Sequence, residues 1–466
     1  MSDSLSRQIA RYVASLTYDD IPSFVVDRVK ALALHNLVMS FEGLSAPSGK
    51  AAIELSKAEE PRFDGATILG DGARVSRMGA VFANSQLMHV GIHGDSYRML
   101  SHPGGHVVSS ALVSGELERA DGAAFLTGLV AGYEAHVRIA GPFVPSTQAR
   151  GFRASPAYGI FGAAVATGKL LGLTEDQLVS AIALAATFAG GTVEGARVGG
   201  QETQYHDANA TRNGVMAALI AKRDVRGSET ALEGDAGFYY AFTGNNRGDL
   251  TYTFSGPDTV DIAQCTEGLG TRYDLLEVIP KIYPGKGPDN PVIELMVELK
   301  KKYFVNPQNV ERITVEVNWL ETFYPSPAFP SLSGSQPQGD GTAYQTAYTC
   351  VHGNYPRVRL KRTPGSSNPE DARINKLMER VTVEPRKDRG TYSPRITIAM
   401  KNGDCYESEY TGDELKYDLV KEAERIREVY PFLPVPANQL DELASCIVGL
   451  QAEVNLDTLI RLCVIV

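Results

Sequence analysis

A chain of 466 residues is longer than a single hydrophobic core usually sustains, so we expect it to fold as two packed domains. Its 45 basic and 55 acidic residues give a formal charge of −10, which argues against nucleic acid as a partner because a nucleic-acid-binding face is basic. The five cysteines are scattered and contain no Cys-x-x-Cys pair, so neither a disulfide framework nor a zinc ribbon is predicted, and a cytoplasmic location fits.

The N-terminus enters an amphipathic pattern directly and lacks the apolar segment of a signal peptide. An apolar stretch around Ala181 to Gly190 is too short to span a bilayer. We therefore predict neither export nor contact with a membrane.

From the start of the chain to about Asp249, apolar residues recur with helical spacing. Several of the predicted helices carry Ala and Gly close together, as between Gly159 and Gly168, which lets helix axes approach closely. We interpret this stripe of small residues as packing rather than as a binding site. The clearest predicted helices are Ser4–Ser15, Val25–Phe41, Gly122–Ile139 and Phe161–Leu171.

The spacing changes near Tyr273, where alternating apolar and polar residues predict β-strands with helices between them. Asn402-Gly403 separates two of these strands and predicts a hairpin in which both turn residues adopt positive φ. Helical spacing returns after Thr411. The predicted strands are Arg312–Val317, Arg380–Val383, Arg395–Met400 and Cys405–Tyr410, and the predicted helices are Asn290–Lys302, Pro369–Glu379, Leu440–Leu450 and Leu456–Cys463.

These patterns predict a mainly α fold, in which a large all-helical domain is built from both chain ends and a smaller α+β domain is inserted. The helical domain takes residues 1–270, the inserted domain residues 271–410, and the returning helices residues 411–466. The stretch from Asn318 to Tyr344 is rich in Pro, Ser and Gly, which is typical equally of a surface loop and of a cleft lining.

Four of the eight histidines, His89, His93, His102 and His106, lie in one short stretch that also contains Asp95. The spacing of His89 and His93 would place two imidazoles on one helix face, as in a metal site. No glutamate follows the first histidine, however, as a zinc protease would require. We therefore interpret these two as ordinary core or interface histidines and predict no metal.

His102 opens the turn His102-Pro103-Gly104-Gly105. A histidine at such a turn is fixed without helical hydrogen bonds and can project into a cleft, where the nearby carboxylate of Asp95 would orient its ring. A hydrogen-bonded turn without a catalytic role explains the spacing equally well.

A second polar cluster follows a glycine-rich segment at residues 190–200. Glycines let backbone amides approach a carboxylate, and the polar residues supply donors and acceptors. No strand precedes the cluster and it contains no Gly-Lys-Ser/Thr, so it is neither a dinucleotide fingerprint nor a phosphate loop. On spacing alone, a solvated helix start is the simpler explanation. The cluster consists of Gln201, Thr203, Gln204, Tyr205, His206 and Asn209.

A third feature is Lys281, which stands between Pro280 and Pro284 at the predicted domain junction. Two prolines stiffen the backbone around it, and a lysine held in this way suits pairing with a substrate carboxylate. An exposed surface lysine would show the same spacing.

Taken in order, these clusters resemble the MmgE/PrpD family, which includes 2-methylcitrate dehydratases, cis-aconitate decarboxylases and iminodisuccinate epimerases. The likeness extends over nearly the whole chain, and the joint order of the motifs is more specific than any one of them. The motifs are His102-Pro103-Gly104-Gly105, Gly132-Tyr133-Glu134, Gly151-Phe152-Arg153, Gly168-Lys169-Leu170-Leu171-Gly172-Leu173, His206 with Asn209, Leu232-Glu233-Gly234 before Gly237-Phe238, and Lys281-Ile282-Tyr283-Pro284.

The resemblance implies a helical domain from both chain ends, an inserted α+β lid, an active site in the cleft, no cofactor, a homodimer and a small carboxylate substrate. By position, His102 matches the family's catalytic histidine and Lys281 its carboxylate-binding lysine. Tyr348 matches its active-site tyrosine.

Three positions depart from the family pattern. The acidic turn Asp-x-Asp-Asp-Thr is here residues 92–96, Ile-His-Gly-Asp-Ser, with Ile92 first and only Asp95 left of its acids. The histidine of Gly-Phe-His is replaced by Arg153, and a lysine by Thr203. Because an arginine binds carboxylates but does not titrate near neutral pH, we expect proton transfer to rest on His102. The substrate is expected to carry fewer carboxylates than methylcitrate, or to bind differently.

The sequence thus predicts a lyase of the dehydratase type. Arg153 and Lys281 would hold carboxylates, and a carboxylate held by two cations stabilises the enediolate that develops beside it. His102, supported by Asp95, would move a proton at the carbon next to one carboxylate.

Tyr348 or His206 would protonate the leaving hydroxyl group. A decarboxylase or an epimerase would use the same residues, and a non-catalytic acid-binding protein or a metal hydrolase are alternatives from other classes. The remaining predicted substrate contacts are Ser96, Thr203 and Gln204.

Overall fold

The computed structural model describes residues 3–90, 94–195, 200–283, 287–323, 340–355 and 369–465. The chain divides into two compact units. Unit 1 consists of Met1–Thr251, Asp258–Pro280 and Tyr417–Val466, and unit 2 of Tyr252–Pro257 and Lys281–Lys416. Both chain ends therefore belong to unit 1, and the long segment that begins at Lys281 belongs to unit 2.

The described residues are mainly helical, which confirms the predicted fold class. Helices α12 to α14 belong to unit 2 and the others to unit 1. In chain order they are α1 (Leu5–Ser15), α2 (Ser23–Gly43), α3 (Pro47–Glu59), α4 (Arg77–Val90), α5 (Pro103–Glu118), α6 (Gly122–Ala140), α7 (Val144–Ala149), α8 (Ala154–Leu170), α9 (Glu175–Phe188), α10 (His206–Ala221), α11 (Phe238–Thr243), α12 (Asp289–Tyr303), α13 (Asp340–His352), α14 (Pro369–Met378), α15 (Leu419–Arg425), α16 (Ala437–Gly449) and α17 (Asp457–Leu462).

Helix starts follow the capping residues that the sequence supplies. The Ser4 hydroxyl accepts a hydrogen bond from an N–H in the first turn of α1, and the Asp121 carboxylate does the same for α6. Helix α8 begins earlier than the predicted Phe161, because the chain leaves the positive φ of Gly151 and reaches helical geometry directly after Arg153. This earlier start makes Arg153 the N-cap residue of α8.

Helix α8 is central to unit 1 and packs against α5, α6, α9 and α10. A Cβ at Gly162 would lie 2.9 Å from the Val107 side chain, and one at Gly214 would lie 2.4 Å from the Ile160 carbonyl oxygen. The stripe of small residues therefore serves close helix packing, as predicted. A Cβ at Gly159 would lie 2.2 Å from the ring of His106, so this glycine also makes room for a buried imidazole.

The described part of unit 1 contains two strands, which differs from the expected all-helical domain. Strands β1 (Pro61–Thr67) and β2 (Arg74–Val75) form a short antiparallel hairpin. Gly70 and Gly72 turn the chain between them with φ of 73° and 83°, a conformation that glycine adopts without steric cost. Two strands this short contribute too little alternation for the sequence pattern to reveal them.

Unit 2 contains a four-stranded sheet formed by β3 (Val310–Asn318), β4 (Val381–Arg386), β5 (Arg395–Met400) and β6 (Cys405–Glu409). The strand order is β4-β3-β5-β6, with β3 and β4 parallel and the other pairs antiparallel. Buried residues of α12, α13 and α14 form one hydrophobic core with the inward side chains of this sheet. The predicted strands and helices of this region are thus present.

The turn between β5 and β6 differs from the predicted type. Gly403 has a φ of 91°, whereas Asn402 is not among the residues with positive φ. The Asn402 side chain instead accepts a hydrogen bond from the Asp404 N–H at 3.1 Å and donates one to the Asp404 carboxylate at 2.8 Å. This local pairing stabilises a longer turn with a single left-handed glycine.

The C-terminal helices α15 and α16 pack against α2, so the end of the chain completes unit 1. Arg28 of α2 is buried and donates hydrogen bonds to the carbonyl oxygens of Val278 and Tyr417. These carbonyls lie where the chain leaves unit 1 and where it returns, so one guanidinium holds both connecting segments together. Among the helices of the described ranges, none has the length and apolarity that crossing a bilayer requires.

Candidate active site

Asp95 lies in the turn before α5 and is 1% exposed. Its Oδ1 accepts a hydrogen bond from the Gly104 N–H at 2.8 Å, in the first turn of α5. Its Oδ2 accepts from the Tyr133 hydroxyl at 2.8 Å and from the Asn36 amide at 3.2 Å. Burial and the nearby Asp95 carboxylate raise the pKa of Tyr133 well above its usual value, so this hydroxyl stays a donor. The carboxylate thus anchors the start of α5, where negative charge is favourable.

His102 is the N-cap residue of α5, and its Nδ1 lies 3.0 Å from the backbone carbonyl oxygen of Asp95. Because a carbonyl only accepts, the neutral ring is assigned its proton on Nδ1 and its lone pair on Nε2. We expected the Asp95 carboxylate to orient this ring. The structure differs, because Gly104 and Tyr133 engage the carboxylate and the carbonyl faces the imidazole.

Ser96 is buried and lies in backbone contact with Ile279. Each residue donates its N–H to the carbonyl oxygen of the other at 2.8 Å. The bridge connects the turn that carries Asp95 to the segment just before Pro280, where the chain leaves unit 1. The described role of Ser96 is therefore structural, and its contact with a substrate stays a prediction.

The starts of α5 and α8 lie side by side. The His102 N–H donates to the Ser155 hydroxyl at 3.3 Å, and Ser155 stands two residues after Arg153 in the first turn of α8. Neither His102 nor Arg153 caps its helix with its side chain. One region of unit 1 therefore contains two helix N-termini, an imidazole and a guanidinium. These groups favour the binding of a negatively charged ligand.

Arg153 contacts Asp207, in the first turn of α10, with its Nη1 atom. The same atom lies 3.4 Å from the carbonyl oxygen of Thr203. The Arg153 side chain is 26% exposed and that of Asp207 only 2%. Thr203 thus positions the guanidinium through its backbone, and the structure shows no role for its hydroxyl.

His106 shares the Asp207 carboxylate. Its Nε2 lies 3.1 Å from Oδ1 of Asp207, and its Nδ1 lies 2.9 Å from the Thr211 hydroxyl. Burial, assisted by the neighbouring His89, lowers the pKa of His106 to about 4. Burial opposes ionisation of Asp207, but Arg153 and the imidazoles outweigh it and hold the pKa of that carboxyl well below its usual value. At neutral pH the carboxylate is charged and His106 is neutral.

His89 joins these residues. Its Nδ1 lies 2.9 Å from the Ser85 carbonyl oxygen, and its Nε2 lies 3.9 Å from Oδ1 of Asp207. One ligand atom each from His89, His106 and Asp207 lie within 4.8 Å of one another, which is a spacing that a metal ion could use. His93, which the sequence pairs with His89 on one helix face, lies outside the described residues. We call His89, His106, Arg153 and Asp207 the Asp207 cluster.

His206 begins α10 and is half-buried. Burial and the charge of Arg153 lower its pKa, against the opposing effect of Asp207. Its Nδ1 is buried and has no hydrogen-bond partner among the described residues. Gln204 lies in the preceding 3₁₀ turn and is exposed. His206 thus lies within electrostatic range of Arg153, whereas the substrate contact of Gln204 stays a prediction.

Unit 2 supplies the other two predicted site residues. Lys281 is 6% exposed, in the segment where the chain enters this unit. Tyr348 lies on α13, with its ring 4.4 Å from that of His352 and 6.1 Å from that of Tyr344. Both residues are therefore held within unit 2.

The profile of the MmgE/PrpD N-terminal domain matches residues 7–251. This chain belongs to the MmgE/PrpD family. It is 26% identical over 331 residues to a cis-aconitate decarboxylase-like protein of Aspergillus oryzae, which covers 68% of this chain and 66% of that protein. It is 25% identical over 319 residues to the cis-aconitate decarboxylase of Aspergillus terreus, covering 66% of this chain and 63% of the relative. It is also 25% identical to the human cis-aconitate decarboxylase over 250 residues, covering 52% and 51%. The chain thus matches less than two thirds of the length of these relatives.

Within this MmgE/PrpD domain, sequence reasoning missed two residues that the fold brings to Arg153. The sequence presents His106 only as one of four clustered histidines and Asp207 only as a neighbour of His206. Each stands one helical turn or less from a predicted residue, so helical spacing was the available signal. Their meeting depends on the packing of α5 against α10, which no local pattern reveals.

Proposed function

We propose that this chain is a lyase that acts on a small carboxylic acid without a cofactor, by proton transfer at the carbon next to a carboxylate. The observation that carries the proposal is the adjacency of His102 and Arg153 at the starts of α5 and α8. Both side chains can then act on one substrate. Arg153, a permanent cation, would bind its carboxylate, and His102 would act as a base on the neighbouring carbon.

Arg153 is suited to hold that carboxylate. Its Nη1 is engaged by Asp207 and Thr203, and no hydrogen bond to Nε or Nη2 is found among the described residues. That pair of N–H groups forms the planar fork that binds a carboxylate with two parallel hydrogen bonds.

His102 then acts as the general base. Its Nε2 removes the proton from the carbon next to the bound carboxylate, and the C–H electron pair moves into that carboxylate as an enediolate. The collapse of the enediolate forms a carbon–carbon double bond and expels the hydroxyl group from the next carbon. Arg153 and the two helix N-termini stabilise the negative charge in between.

The leaving hydroxyl group needs a proton, which we assign to Tyr348. The lowered pKa of His206, caused by burial and by Arg153, leaves this imidazole mostly unprotonated at neutral pH. His206 is therefore a poorer proton donor and suits the role of a second base. Lys281 is proposed to bind a second carboxylate.

A second candidate reaction is decarboxylation, favoured by the names of the relatives that the chain matches. In this case a carbon–carbon bond breaks, carbon dioxide leaves, and the electron pair is delocalised into the remaining carboxylate held by Arg153. The protonated form of His102 returns a proton to that carbon. The family resemblance also leads us to propose a homodimer, which light scattering after size-exclusion chromatography would test.

The experiment is a proton NMR time course of the purified protein in D₂O with methylcitrate, cis-aconitate, citrate, iminodisuccinate and malate. We expect loss of an α-proton signal, loss of water or release of carbon dioxide from at least one acid. The product then names the reaction. His102→Ala should slow this step by about 10²–10⁴-fold.

Arg153→Met and Arg150→Met form a matched pair. Arg150 is exposed and lies three residues before Arg153, so its loss removes an arginine without altering the proposed fork. We expect Arg153→Met to raise KM strongly and Arg150→Met to leave turnover unchanged. Near-normal turnover by His102→Ala would overturn the proposal.

A further inference from the structure

The Asp207 carboxylate joins the proposed substrate-binding arginine to a buried histidine. Oδ2 pairs with Nη1 of Arg153, and Oδ1 lies 3.1 Å from Nε2 of His106. The carboxylate is almost completely buried, whereas a quarter of the Arg153 side chain is exposed. Asp207 therefore pairs with the guanidinium from the protein interior, and part of the Arg153 side chain remains exposed.

Within the Asp207 cluster, the negative charge of Asp207 offsets the positive charge of Arg153. Arg153 carries a permanent positive charge, and the pKa of Asp207 lies well below its usual value, so the carboxylate is charged at neutral pH. Burial keeps His106 neutral under the same conditions, since its pKa is about 4. The ion pair thus presents a directed hydrogen-bonding fork with little net charge.

A fork of this kind distinguishes substrates by their number of carboxylates. One carboxylate gains two charge-assisted hydrogen bonds from Nε and Nη2 of Arg153. A further carboxylate near the same arginine gains little attraction, because Asp207 already offsets the charge of Arg153. The negative charge of Asp207, a few ångströms behind the guanidinium, also repels it. At such distances one uncompensated charge changes affinity by about tenfold or more.

We propose that Asp207 is a specificity-determining residue, which orients Arg153 and cancels its charge so that the site prefers acids with one or two carboxylates to tricarboxylates. This inference rests on the proposed function of Arg153. It goes beyond it by assigning the selectivity to a buried residue that touches the arginine rather than the substrate.

The experiment measures binding by isothermal titration calorimetry with cis-aconitate, which has three carboxylates, citraconate, which has two, and crotonate, which has one. The wild-type protein should bind citraconate more tightly than cis-aconitate. Asp207→Asn should shift the ratio of the two affinities toward cis-aconitate by about tenfold.

Thr211→Val is the matched control. The Thr211 hydroxyl lies 2.9 Å from Nδ1 of His106 and donates to the Asp207 carbonyl oxygen at 2.7 Å, so the variant disturbs the same buried network without changing any charge. It should leave the affinity ratio unchanged. An unchanged ratio in Asp207→Asn, or a wild-type protein that prefers cis-aconitate or binds none of the three acids, overturns the proposal.

A second variant covers the case in which Asp207→Asn does not fold. Thr203→Lys adds one positive charge beside Arg153 from the half-exposed side, where the Thr203 carbonyl already accepts from the guanidinium. It must shift the ratio in the same direction, and an unchanged ratio would overturn the role of net charge. Repeating the titrations in the His102→Ala background separates binding from turnover, so these outcomes are distinct from a failure of that variant to stop the reaction.

Discussion

The backbone carbonyl oxygen of Asp95 lies 3.0 Å from Nδ1 of His102, while the Asp95 carboxylate binds Gly104 and Tyr133. One residue thus performs two separate tasks. The carbonyl fixes the tautomer of the imidazole, and the carboxylate fixes the helix start on which the imidazole stands. The orientation of His102 therefore depends on the backbone of Asp95 more directly than on its charge.

Replacing Asp95 by Asn should accordingly affect the stability of the fold more than it affects turnover. The variant keeps the carbonyl but loses the charge at the start of α5 and weakens the hydrogen bonds from Gly104 and Tyr133. We expect the free energy of unfolding to fall by about 1–3 kcal/mol. Turnover should fall by a smaller factor than in His102→Ala. Urea unfolding and steady-state kinetics check the two effects.

Tyr133→Phe is the control for this prediction, because it removes the hydroxyl donor to the carboxylate, together with a 3.4 Å hydrogen bond from the Asn36 amide, and keeps the Asp95 side chain. It should reproduce part of the stability loss and little of the loss in turnover. If Asp95→Asn were as inactive as His102→Ala while remaining as stable as the wild type, the carboxylate would be acting in the chemistry and the assignment to the carbonyl would be wrong.

The sequence predicts that Asp95 and His102 lie close together, because the two residues are seven positions apart around one turn. It does not predict which atom of Asp95 contacts the imidazole, since spacing does not distinguish a carbonyl from a carboxylate. The fold class and the strands of unit 2 were predictable because period 3.6 and period 2 are local properties. The short β1–β2 hairpin and the turn at Asn402 were missed or misassigned, because each rests on a few residues and on local side-chain pairing.

The Asp207 cluster could not be predicted from the sequence. His106 and Asp207 are 101 residues apart and meet only because glycines let α5, α8 and α10 approach closely. A buried carboxylate between an arginine and a histidine has no sequence signature of its own. The family resemblance pointed to Arg153 as a departure, and only the fold showed which residue accompanies it.

The buried His106 makes a prediction about pH. Its pKa in the folded protein is about 4, against about 6.5 in an unfolded chain, because burial and the neighbouring His89 disfavour the charged ring. Between these values the unfolded chain binds a proton that folded His106 does not, so the free energy of unfolding falls as pH falls through this range. The loss is complete below about pH 4 and amounts to about 3 kcal/mol.

His106→Gln should therefore unfold with a shallower dependence on pH than the wild type, although its stability at pH 7 is lower. Burial also lowers the pKa of His136, so part of the slope remains in the variant. Urea unfolding at pH 7, 6 and 5 measures the slope. An equal slope in His106→Gln and the wild type would contradict the prediction.

Gly159 should tolerate no side chain. An added Cβ would lie 2.2 Å from the His106 ring, and that ring cannot retreat without leaving Asp207 or Thr211. We expect Gly159→Ala to lower the free energy of unfolding by about 1–3 kcal/mol, despite the better helix propensity of alanine. Gly449→Ala, at the end of α16 with nothing within 4 Å of its Cβ, should be neutral or slightly stabilising. Similar unfolding midpoints for the two variants would show that the packing around His106 yields easily.

Chelation tests whether the Asp207 cluster acts through a metal ion. Three ligand atoms lie within 4.8 Å of one another, but the second oxygen of Asp207 already pairs with Arg153, and a divalent cation beside that guanidinium would meet electrostatic repulsion. We therefore expect turnover to survive exhaustive dialysis against a chelator, with less than one equivalent of metal by mass spectrometry. If turnover is lost, is restored by zinc or manganese, and is no longer restored in His89→Gln, the cluster binds a metal and Arg153 pairs with the carboxylate that coordinates it.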